Sequence, residues 1–247
     1  MLPILQVGPL AIQMPGLFLL AGVWVAVSLT DREAPRHSLK ASVLSNVILI
    51  GLVVGILSAR LWYVMRFLEV YLDSPVSVLS LNPSTLAPLE GALTGLFAAV
   101  YYGYRKGLPL WPTLDAMTPG LAAVGIAVGL SHIASGDAFG AETGLPWSIE
   151  LWGAQRHPTQ IYEVLAAGII FWLIWKNRRQ VPASGFLFLA WVALSALSRL
   201  AIEAFRGDSV IAFGSLRTAQ LASVMVLAMV LAGMHFLVRP QAPDPRR

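Results

Sequence analysis

The sequence predicts an all-α integral membrane protein. It would have seven transmembrane helices, the amino terminus outside, the carboxyl terminus cytoplasmic, and an irregular outer-face segment. Three observations carry that reading. The 247-residue chain is 57% hydrophobic and 12% charged, about half the charged fraction usual in soluble domains. Roughly seven segments approach the ~20 apolar residues that a helix needs to cross a bilayer core. The basic residues collect in alternate connections, as they do in cytoplasmic loops.

The seven segments cover about 14–30, 42–68, 89–104, 113–134, 158–175, 184–205 and 217–238. The second is long enough to tilt or to run past the membrane. The fourth contains Pro119, Gly120, Gly125 and Gly129 and reads as a broken helix, which membrane proteins tolerate where neighbours or water satisfy the backbone. Arg32, Arg36 and Lys40 follow the first segment. Arg105 and Lys106 follow the third, Lys176, Arg178 and Arg179 the fifth, and Arg239, Arg246 and Arg247 the last. The connection from Tyr71 to Pro88 has no Lys or Arg. This alternation sets the expected orientation. Residues 1–247 are expected to make one membrane domain, with an outer head at about 135–157 and a flexible cytoplasmic tail at 239–247. Trp147 and Trp152 in the head are candidate interfacial anchors.

Composition also excludes function classes. With no cysteine, the chain has no disulfide, thiolate metal site or cysteine nucleophile of its own. No pair of histidines has ligand spacing, so neither a metal nor a cofactor is expected. The stretch "MLPILQVGPLAIQMP" has no Lys or Arg before its apolar residues, so it does not read as a cleaved signal peptide, and no lipidation motif is found. The net charge of +4 matters less than where the positive residues lie, and no nucleic-acid partner is expected. A retinal protein needs a lysine deep in a helix, whereas Lys40, Lys106 and Lys176 lie in or beside inner loops. A transporter would carry repeats or paired broken helices; one broken helix and no repeat are found.

Ionisable groups inside spans are costly and mark function by default. Here they are Arg60, Glu90, Asp115, His132, Glu163, Arg199, Glu203 and Arg206. Arg199, Glu203 and Arg206 stand at i, i+4 and i+7, which puts cation, anion and cation on one helix face. That face is either a self-neutralising ladder or a phosphate site, since a guanidinium fork matches phosphate oxygens. Arg60 is either a residue snorkelling to the interface or part of the same site. Asp115 is expected to be a helix cap near the inner surface. His132 reads as a core or boundary residue. In "AQRHPTQIYEVLAAG", Arg156, His157, Gln160, Tyr162 and Glu163 gather at the entry of an apolar run. Pro158 suits a first helical turn, and Gln160 and Glu163 share a face. The stretch is either a plain helix start or one wall of an outward-facing polar pocket.

Taken in order, several blocks resemble one family. "ARLWYV", "LDAMTPGLAAVG", "SGDAFG" followed by "LPWSI", "RHPTQIYE", and "SRLAIEAFR" with Gln220 beyond it are similar to the signatures of the prolipoprotein diacylglyceryl transferases. The resemblance spans nearly the whole chain and implies a reaction. A diacylglyceryl group would pass from phosphatidylglycerol to the thiol of a lipobox cysteine in a prolipoprotein signal peptide, and glycerol phosphate would leave. The location would be the bacterial inner membrane.

By position, the resemblance makes Arg199 the phosphate-binding arginine and Glu203 its partner. It puts Asp137 at the place of an acid in the outer loop and Gly140 at that of a glycine that lets the loop turn tightly. Arg60, Arg156, His157, Gln160, Tyr162, Glu163 and Arg206 would line or brace the cavity. The chain also departs from the family pattern. Glu90 in "LEGALTG" stands where a His-Gly-Gly begins, Gly129 where an arginine belongs, His132 for an asparagine, and Pro15 for a first-span tyrosine. Either the site is rebuilt, with a desolvated Glu90 as base, or the scaffold keeps a lipid pocket without the chemistry.

Overall fold

The computed structural model describes residues 4–7, 10–79, 85–213 and 216–238. The tail expected at 239–247 lies outside the described residues. In chain order the elements are strands β1 (Ile4–Val7) and β2 (Leu10–Gln13), then helices α1 (Met14–Glu33), α2 (Ala41–Arg66), α3 (Leu68–Asp73), α4 (Pro88–Arg105) and α5 (Leu110–Ser135). Strands β3 (Ile149–Leu151) and β4 (Ala154–Arg156), helices α6 (Thr159–Asn177) and α7 (Phe186–Glu203), strands β5 (Ile211–Phe213) and β6 (Leu216–Arg217), and helix α8 (Thr218–Val238) complete it.

Each of the apolar segments read from the sequence is helical. Five stretches, Met14–His37, Ala41–Arg66, Leu110–Ser135, Phe186–Glu203 and Thr218–Val238, are long and apolar enough to cross a membrane. The chain is therefore a multi-pass, all-α membrane protein. It divides into two compact units, Asp31–Thr113 and the pairing of Met1–Thr30 with Leu114–Arg247.

In the Asp31–Thr113 unit, α2 and α4 pack through small residues. A Cβ on Gly95 would run into the carbonyl oxygen of Gly51 and lie 3.0 Å from the Gly55 Cα. One on Gly91 would lie 2.5 Å from the Ala59 Cβ and 2.6 Å from the Gly55 oxygen. Lipid tails are as apolar as leucine, so membrane helices associate by such close packing rather than by the hydrophobic effect. Overpacking of a tight contact costs about 1–3 kcal/mol. G95L is therefore expected to lower the melting temperature in detergent, whereas L96A on the exposed neighbour is not. Past the helix crossing, Arg60 spends its donors on the loop. Its Nε donates to the Val78 carbonyl at 2.9 Å, Nη2 to Ser77 at 2.6 Å, and Nη1 to the carbonyl (2.7 Å) and hydroxyl of Thr85. The Tyr71 ring lies beneath the guanidinium.

In the other unit, α5 is one continuous helix, and this corrects the expectation of a broken span. Pro119 is accommodated inside it, and the glycines bring neighbours close. A Cβ on Gly120 would lie 2.7 Å from the Ala26 oxygen of α1. One on Gly129 would lie 2.7 Å from Val164 Cγ2 of α6. Asp115 is a cap, but of another helix: its carboxylate accepts the N–H groups of Gly185 (2.6 Å) and Phe188 (3.0 Å) at the start of α7. That meets orphan donors at the positive end of the helix dipole. Ile170, Ile174 and Leu187 form the buried α6–α7 core.

Three antiparallel hairpins, β1–β2, β3–β4 and β5–β6, were not expected. In β3–β4 the turn residues Trp152 (φ 55°) and Gly153 (φ 74°) both have positive φ, as a two-residue hairpin turn matched to strand twist requires. The 135–157 segment thus contains short, defined structure.

Candidate functional site: a groove headed by arginine

A groove of about 420 Å³ runs along α5, α6 and α7. Its walls are apolar, with Leu121, Val124, Val128, Ala167, Ile170 and Trp191 among them, and His132, Glu163 and Arg199 also line it. These three sit toward the ends of their helices that adjoin the 136–158 segment, so the groove is apolar along its length and charged at its head.

The charges form one network. Glu163 Oε1 is 2.8 Å from Arg206 Nη1 and 3.6 Å from Arg199 Nη1. Its Oε2 is 2.7 Å from His132 Nδ1. Arg199 Nη2 is 3.0 Å from Glu203 Oε2, and the Glu203 side chain is only 2% exposed. Arg206 is locked: Nε and Nη2 grip Asp208 at 2.9 and 2.6 Å while Nη1 holds Glu163. Burial opposes its charge, but the hydrogen bond and charge of Asp208, with Glu163 and Glu203, outweigh that and hold its proton more tightly than usual. Arg217 donates to the Glu203 and Arg206 carbonyls and to the Ser209 hydroxyl. Arg199 remains 41% exposed, so its guanidinium faces the groove with donor capacity to spare.

The 136–158 segment fixes this network from outside. Gly140 bridges to Arg206 and Glu142 to Arg156. The Ala141 N–H donates to the Phe205 carbonyl and that of Gly207 to Phe139, both at 2.8 Å. A Cβ on Gly207 would lie 2.6 Å from the Gly140 oxygen, and one on Gly140 2.6 Å from the His157 Cβ. Gly140 is thus needed for close approach rather than for a tight turn, which Gly136 (φ 83°) and Ala138 (φ 56°) make instead. Gln160 is buried and donates to the Asp137 carbonyl at 3.0 Å, while the rest of Asp137 is exposed. Arg156 lies over the Phe139 ring, and His157, Tyr162 and Phe205 form an aromatic cluster. Tyr162 accepts a hydrogen bond from Trp147 Nε1 at 2.9 Å. Helix α6 begins at Thr159 with Pro158 at its cap position, so His157 immediately precedes the cap.

The structure therefore brings Arg199, Glu203, Arg206 and Glu163 into one cluster, with Gly140, Arg156, His157, Gln160 and Tyr162 in the adjoining segment. Arg60 and Glu90 belong to the other unit. There Glu90 is 27% exposed and 2.5 Å from Arg66. Sequence reading missed three members: His132, weighed as a core or boundary residue, Asp208 and Arg217. The "RGD" of Arg206–Asp208 was the local signal for one of them, because a spacing of two lets the carboxylate fold back on the guanidinium.

The family model for prolipoprotein diacylglyceryl transferase matches residues 3–238. Among curated relatives, the phosphatidylglycerol–prolipoprotein diacylglyceryl transferase of Shouchella clausii is 31% identical, covering 92% of this chain and 86% of that protein. The Streptococcus pneumoniae protein of the same name is 30% identical over 97% and 95% of the two chains. The one from Synechococcus elongatus is 29% identical over 98% and 89%. With so nearly complete a match, the chain belongs to the prolipoprotein diacylglyceryl transferase family.

Proposed function

We propose that this protein moves the diacylglyceryl group of phosphatidylglycerol to the lipobox cysteine thiol of a prolipoprotein signal peptide, releasing glycerol phosphate. The site of action is the bacterial inner membrane. The carrying observation is a groove that is apolar along its length and headed by the partly exposed Arg199. An acyl chain suits the walls, and a phosphodiester suits a guanidinium fork. Glu203, buried and 3.0 Å away, holds that fork in place, while Arg206 is committed to Asp208 and Glu163. Fixed cations at the phosphate lower the barrier by stabilising charge as it builds on the departing oxygen. His157, Gln160, Tyr162, Asp137 and Gly140 brace the head, and Arg156 ties it together.

Seven spans with the amino terminus outside, within one membrane domain, place the head at the outer surface, where a secreted precursor arrives. The charge alternation of the loops supports that orientation. The test is to supply phosphatidylglycerol and a lipobox-cysteine peptide and to look for the thioether by mass spectrometry. Product formation supports the proposal; phosphatidylglycerol binding without product defeats it.

A second reading, a lipid-binding or partner-binding protein on the same scaffold, is favoured by one observation. Gly129 lines the groove where the resemblance expects an arginine, and a Cβ there would lie 2.7 Å from Val164 Cγ2 and 3.2 Å from its backbone nitrogen. No longer side chain fits at that α5–α6 spacing, so the phosphate loses one cation. The same assay separates the readings, since the binder yields lipid-loaded protein and no thioether.

A further inference from the structure

We propose that His132 is the general base that deprotonates the acceptor thiol, with Glu163 as its positioning residue; this rests on the transfer reading above. His132 Nδ1 is 2.7 Å from Glu163 Oε2. Glu163 Oε1 is taken by Arg206 at 2.8 Å and approached by Arg199 at 3.6 Å, which leaves Oε2 to accept the Nδ1 proton. A neutral imidazole donating from Nδ1 carries its lone pair on Nε2. The ring lines the groove at its charged head, beside Arg199. A carboxylate that orients an imidazole lining the groove, with the histidine side chain 29% exposed, is the arrangement of a base-activated nucleophile.

The neighbouring elements present Glu163 from α6, Arg199 and Glu203 from α7, and Arg206 and Asp208 from the connection after α7. By contrast, the carboxylate of Glu90 is held by Arg66 at 2.5 Å.

In the step itself, the thiol proton passes to His132 Nε2. The sulfur attacks the glyceryl carbon bonded to the phosphate oxygen. The S–C bond forms as the C–O bond breaks, and that electron pair stays on the phosphate oxygen of glycerol phosphate. The proton on Nε2 then passes to water or to the released phosphate. Atoms and charge balance with no further reactant.

The experiment follows transfer from labelled phosphatidylglycerol vesicles to a lipobox-cysteine peptide across about pH 5.5–9. Wild-type activity is expected to rise with pH along a limb that H132A removes. The H132A rate is expected to fall by about 10²–10⁴-fold, with added imidazole restoring part of it. H132N, close in volume, is expected to keep the wild-type melting temperature and lose the rate. Wild-type turnover in H132A and H132N overturns the assignment. So does a limb that persists in both and vanishes in E90Q, or activity that falls with rising pH and loses that limb in H132A. If the wild-type protein binds phosphatidylglycerol and forms no thioether, the transfer reading itself fails and the base assignment fails with it.

Discussion

R199A is expected to lower diacylglyceryl transfer by about 10²–10³-fold, the usual effect of removing one preorganised donor from developing negative charge. The fold should survive, because the side chain is 41% exposed and the locked pair of Arg206 and Asp208 does not depend on it. R199K keeps the charge but not the planar fork, and an ammonium cannot replace a bidentate guanidinium at full strength. Its rate should fall between those of wild type and R199A. The check is initial rate against phosphatidylglycerol concentration. A loss confined to saturation at low lipid indicates simple binding, whereas a loss of the maximal rate indicates stabilisation of the departing phosphate.

The second large effect is expected at Gly140. Its missing Cβ is where the His157 carbonyl passes, and the His157 Cβ is 2.6 Å from the position it would occupy. G140A must push the strand-like segment away from His157. That movement disturbs the bridge to Arg206 and loosens the guanidinium that holds Glu163. Overpacking of this kind costs about 1–3 kcal/mol, so a lower melting temperature and loss of transfer are expected together. G144A is the control, since a Cβ there meets nothing within 4 Å. Equal melting temperatures for G140A and G144A would contradict the close-approach role.

The helices were legible because a run of about 20 apolar residues admits few other structures. The continuity of α5 was not. Pro119 and three glycines look like interruptions in one dimension, and only the neighbours Ala26 and Val164 show that the glycines at 120 and 129 serve packing. The hairpin β3–β4 was hidden because its turn rests on Trp152 at φ 55°, a conformation that tryptophan does not advertise. In the site, the pair Arg199 and Glu203 was readable from spacing on one helix. The pairings of Glu163 with Arg206 and with His132 join residues 43 and 31 apart in the chain, so no local pattern encodes them. His132 was passed over because a lone histidine on an apolar helix is ambiguous until its partner is seen.

The most direct measurement is an experimental structure with phosphatidylglycerol bound. The phosphate oxygens should lie within hydrogen-bonding distance of the Arg199 guanidinium, with an acyl chain running past Val128 and Val124 toward Leu121 and Trp191. Lipid phosphate bound away from Arg199, with the groove between α5, α6 and α7 left free of acyl chain, would contradict the account.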